Sequence, residues 1–80
     1  MPAAPKPSFR RRFENLEAKR ESLLARLANL GDRVNQHPGH KRALMLLNAS
    51  FRRAKIAQRA SVLQAAEWLI DVLERLTFLV

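Results

Sequence analysis

The side chains of this chain with the widest chemical scope are its cations. No Asp or Glu occurs between Arg33 and Ala66, a window that holds Arg33, Lys41, Arg42, Arg52, Arg53, Lys55 and Arg59. On a helix, Lys41, Arg52, Lys55 and Arg59 share one flank beside an apolar seam. Arg12, Lys19, Arg26 and Arg33 recur at every seventh position, the spacing that borders a coiled-coil seam. Joined, these eight side chains form a candidate polyanion-binding surface acting by Coulomb attraction and counterion release. Aromatic interleaving is poor: Phe51 alone lies in the basic window, and it falls on the seam, so base stacking is not expected. The competing reading is a set of solvated charges, or of pairs across helices with Glu14, Glu17, Glu21, Glu67, Asp71 and Glu74.

Other chemistry is thin. His37-Pro38-Gly39-His40 brings two imidazoles to a turn, but the chain has no cysteine and the nearest carboxylate in sequence is Asp32. Turn chemistry is therefore expected there, and no metal. Glu67, Asp71 and Glu74 are expected on a solvent face. No Ser, His and acid arrangement emerges, and Gly31 and Gly39 make no phosphate loop. The chain carries no motif of the all-helical chorismate mutases. The expectation is a non-enzymatic protein without cofactor.

Eighty residues bound the molecule to one domain, near the size at which a single core is marginal. Fifteen Lys and Arg against seven Asp and Glu give a net charge of +8, which suits an anionic partner. Without cysteine there is no disulfide framework, which fits a reducing compartment. Pro2, Ala3, Ala4 and Pro5 are not followed by an apolar signal-peptide core, and no uncharged run reaches the ~18–20 residues that span a bilayer. A cytoplasmic protein is expected.

Two elements must position these residues. Residues 1–7 hold Pro2, Pro5 and Pro7 and are read as a disordered or extended tail; residues 8–80 form the single domain. From an N-cap at Ser8, Phe9, Phe13, Leu16, Leu23, Leu27, Leu30 and Val34 recur at helical spacings, predicting helix 1 over about 8–36. Gly31 marks a distortion or an early end. Arg20 occupies a core position; it either fixes register or, as favoured here, extends its guanidinium to solvent. The turn is placed at 37–40. The second helix is predicted over about 40–79, with Leu44, Leu47, Phe51, Ala54, Gln58, Val62, Ala65, Leu69, Val72, Leu76 and Leu79 as its seam. Two four-residue steps, Ala54 to Gln58 to Val62, form a stutter that should locally unwind a supercoil. The fold class expected is all-α, a two-helix antiparallel hairpin with a longer second helix.

The mismatch in length has a consequence. Residues from about Glu67 onward project past the end of helix 1, and their apolar side chains would remain in water. A homodimer is therefore predicted, closing as a helical bundle through Trp68, Leu69, Ile70, Val72, Leu73, Leu76 and Leu79. The function expected is an interaction or regulatory module that self-associates and binds a protein partner. The alternative is a small basic dimer binding nucleic acid through phosphates, similar in shape, though not in sequence, to the plasmid copy-number RNA-binding hairpins. Membrane binding is disfavoured, because the polar face opposite the most apolar segment carries Glu67, Asp71 and Glu74.

Overall fold

A proline, a run of alternative hydrogen bonds and one extended residue divide this helix-rich chain into its elements. The structure, a computed structural model, describes residues 9–30 and 32–78, and every element among them is helical. The expectations for the 1–7 tail, for Gly31 and for Leu79 lie outside the described residues.

Helix α1 covers Phe9–Ala28. Its last turn tightens as the Leu30 N–H reaches the Leu27 carbonyl at 3.3 Å, and Asn29 shares its N–H between Ala25 and Arg26. A single turn, α2, follows at Asp32–Asn35 and carries Val34 into the core. Helix 1 thus ends at Ala28 and does not continue to 36. The in-phase apolar residue Val34 is buried by a separate turn and not by a continuation of helix 1.

Helix α3 starts at Pro38, where the absent N–H costs nothing. His37 precedes it in extended conformation, and its Nδ1 accepts the Gly39 N–H at 2.9 Å. α3 runs through Pro38–Met45, widens into a π-helical stretch at Leu46–Ser50, and finishes with the turn Phe51–Arg53. Within it Ala43, Leu47 and Phe51 are buried. Steps of four would rotate such a row by about 40° each in a regular α-helix. The wider π turn removes much of that drift and returns Phe51 to the core.

At Ala54 the backbone turns extended, with φ −71° and ψ 143°, and α4 begins at Ile56 and ends at Phe78. This corrects the expected second helix over 40–79. The stutter at Ala54–Gln58–Val62 does mark a change of phase, but the chain resolves it by breaking the helix instead of unwinding a supercoil. After the break the buried row of α4 is Leu63, Ala66, Ile70 and Leu73, one residue out of step with the expected seam of Val62, Ala65, Leu69 and Val72.

The contacts fix the topology. Arg59 of α4 lies against Phe13 of α1, Lys19 meets Glu67, and Arg26 meets Asp71 and Glu74, so α1 and α4 run parallel. α3 runs antiparallel between them, with Arg20 opposite Leu47 and Gly39 close to Leu73. The result is a three-helix, up-down-up bundle, where a two-helix hairpin was expected. The core comprises Leu23 and Leu27 of α1, Val34, the α3 row and the α4 row, with Phe51 its largest member. No described helix is long and apolar enough to cross a membrane.

Candidate functional site

Folding the chain twice sorts the basic residues into those consumed by the fold and those left at the surface. Glu67, Asp71 and Glu74 recur at steps of four and three, so they share one face of α4, and that face is turned to α1 instead of standing free in solvent. Arg26 donates to Asp71 at 2.6 Å and to Glu74 at 2.5 Å, with Glu67 at 3.4 Å. Hydrogen bonds to Glu74 first, and to Asp71, raise the pKa of this guanidinium above its ordinary value. Lys19 lies 3.4 Å from Glu67. Pairing across helices, the competing reading of these charges, holds for Lys19 and Arg26.

Arg59 is also engaged. Its guanidinium stacks 4.8 Å from the Phe51 ring centroid and 5.6 Å from that of Phe13. Nε donates to the Ala54 carbonyl at 3.2 Å and a terminal nitrogen to the Arg52 carbonyl at 3.3 Å. It therefore caps the C-terminus of α3, where exposed carbonyls favour a cation.

Arg20 does not reach solvent as the sequence suggested. Its side chain is 13% exposed, donating from Nε to the Leu47 carbonyl and from a terminal nitrogen to Asn48 Oδ1 at 2.8 Å. The π turn prepares this contact: the Phe51 N–H bonds to the carbonyls of Leu46 and Asn48, leaving that of Leu47 to Arg20.

Among the described residues, the exposed cations of the acid-free window fall, with Arg12, in two places. Arg12, Arg52, Arg53 and Lys55 are at one end of the bundle, where α1 and α4 begin and α3 finishes. Lys41 and Arg42 are exposed near the start of α3, toward the opposite end. The side chain of Arg33 lies outside the described residues. The eight candidate polyanion-binding residues therefore do not form one stripe. Among the described residues no three His, Asp or Glu side chains are grouped so as to hold a metal.

The expected oligomer interface divides as well. Ile70 and Leu73 are fully buried inside the chain's own core, so they offer nothing to a second copy. They are covered because α4 folds back along α1 and α3, which removes the overhang. Leu69 and Val72 are half-buried, Leu76 is 41% exposed, and Trp68 is 66% exposed.

Trp68 belongs to a feature the sequence did not single out. Ala65, Trp68 and Leu69 of α4 face Arg42 and Leu46 of α3 across a groove of about 560 Å³. A second hollow of about 470 Å³ continues along α3 past Pro38, Lys41, Arg42, Met45, Leu46 and Ser50. Met45 is 54% exposed. Trp68 and Met45 give this side of the bundle more exposed apolar surface than scattered single residues account for. Position 45 lies off the expected seam; only the break at Ala54 brings α4 alongside α3 to make a groove. No family model, curated protein or solved structure matches this chain.

Proposed function

We propose that this chain is a cytoplasmic, non-enzymatic helical interaction module that docks a protein partner in the groove between α3 and α4. The observation that carries this reading is Trp68, 66% exposed beside a groove that Leu46, Ala65 and Leu69 line. Tryptophan and methionine at a surface are characteristic of binding sites, where one supplies area and the other adapts its shape. Self-association through the same surface remains the second occupant, now without the projecting end that first argued for it. A photo-activatable side chain introduced in place of Met45 tests the reading in the protein's own cells. A discrete heavier adduct, lost on Trp68→Asp, supports docking. An adduct of two copies of this chain would assign the groove to dimerisation, and the lack of any discrete adduct would refute both.

A second reading is favoured by the grouping of Arg12, Arg52, Arg53 and Lys55 at one end of the bundle. The N-termini of α1 and α4 add positive dipole ends there. This suits phosphates in a nucleic acid, held without base readout. Arg52→Glu with Lys55→Glu should abolish a salt-sensitive affinity for duplex DNA or structured RNA while leaving groove docking intact. Affinity that persists unchanged in that variant would dismiss this end as the contact.

A further inference from the structure

We infer that the groove between α3 and α4 receives an amphipathic α-helix whose apolar face is edged by Asp or Glu. This rests on groove docking as proposed above and names the chemistry of the partner. Shape comes first. The two hollows adjoin at Arg42 and Leu46, and together they follow α3 from Pro38 to Ser50. Twelve residue steps of helix at ~1.5 Å each make about 18 Å. A rod of three to four turns fits that length, and a small molecule would leave much of the open channel wet. The anchors follow the same geometry: Leu46 on one wall and Trp68 and Leu69 on the other, with Met45 in the adjoining hollow, can receive apolar residues one turn apart on an incoming helix.

Charge decides which helix. The charged side chains lining the channel are Lys41 and Arg42, both exposed and both basic. The carboxylates of α4 that might have balanced them, Glu67, Asp71 and Glu74, are on the face toward α1, with Lys19 and Arg26 among them. A second copy meeting this channel about a two-fold axis would bring Lys41 and Arg42 to a surface of like sign, in a chain of net charge +8. An acidic helix meets no such repulsion, and its approach is steered by the field of the whole molecule.

The test uses the full chain and two synthetic peptides of about 14 residues with the same leucine rows, one flanked by Glu and one by Lys. Trp68 is the one tryptophan of the chain, so its emission reports on the channel. The Glu-flanked peptide should shift that emission to the blue and bind at least about tenfold more tightly than the Lys-flanked one. Lys41→Glu with Arg42→Glu should reverse the preference, with unchanged helical circular dichroism showing that the fold survives. Equal binding of the two peptides would overturn the charge inference while leaving groove docking standing. If neither peptide moves Trp68 but vesicles containing anionic phospholipid do, the surface is a membrane contact and the inference falls. If peptides fail and the position-45 adduct contains only this chain, docking of a partner helix falls as well.

Discussion

Arg20 and Arg26 lie on the same helix, yet their guanidinium groups do different work. Arg26 answers three carboxylates of α4 at the rim of the bundle, where solvent screens part of the attraction. Arg20 ties α1 to the backbone of α3 through a carbonyl that the π turn leaves available. Hydrogen bonds from a charged donor in a poorly exposed position contribute more than surface pairs. Arg20→Met should therefore destabilise the fold by ~2 kcal/mol, measured by urea unfolding followed by circular dichroism. Arg20→Lys should recover little of that loss, since an ammonium cannot span Leu47 O and Asn48 Oδ1 with the fork of a guanidinium. A loss below about 0.5 kcal/mol for Arg20→Met would mean that the π stretch does not depend on this contact. The position of Arg20 in the core register was legible in the sequence, but its partner was not. That partner is a main-chain oxygen whose availability depends on local helix geometry.

At the scale of elements, the boundaries of α3 carry the fold. His37 caps its start through Nδ1, and Pro38 opens the first turn. A cap at Gly39 N–H is better supplied by a short carboxylate, which also meets the positive end of the helix. His37→Asp should raise stability by ~0.5–1 kcal/mol in thermal unfolding, and a loss would show that the imidazole has packing value beyond its acceptor nitrogen. The other end of α3 was hidden in the sequence. Ala54 and Lys55 contain no proline or glycine, and their neighbours are good helix formers, so nothing local announces a break. The phase change in the apolar pattern was the available signal, and it has two physical solutions, a supercoil adjustment or a corner. A chain of this size favours the corner because it brings Ile70 and Leu73 out of water without recruiting another molecule.

For the molecule as a whole, that corner decides which apolar residues hold the fold and which face outward. Leu73 is fully buried, whereas Leu76 is 41% exposed. Leu73→Ala should cost ~2–5 kcal/mol, a large share of what a domain of this size has, and leave much of the protein unfolded at 37 °C. Leu76→Ala should change stability by less than ~1 kcal/mol. Circular dichroism melts of the two variants compare them directly; similar losses would mean that α4 packs in another register. The helical class and the core positions Leu23 and Leu27 of α1 and Val34 of α2 were readable from spacing alone. The assembly of α4 was not, because a one-residue shift in register rotates a helix by about 100° and exchanges core for surface.

The first and last helices run side by side in the same direction, and this has a kinetic consequence. Every bond between them closes a long loop; Arg26 and Glu74 are 48 residues apart in the chain. α3 and α4, separated by Ala54 and Lys55, meet at little entropic cost. The hairpin of α3 and α4 should form early and α1 should dock late, and the order should reverse when the protein opens. Amide hydrogen exchange would then find α1 less protected than the buried row of α4. Each such opening uncovers Leu47, Phe51 and Leu63, giving the native molecule brief access to a second apolar face without global unfolding.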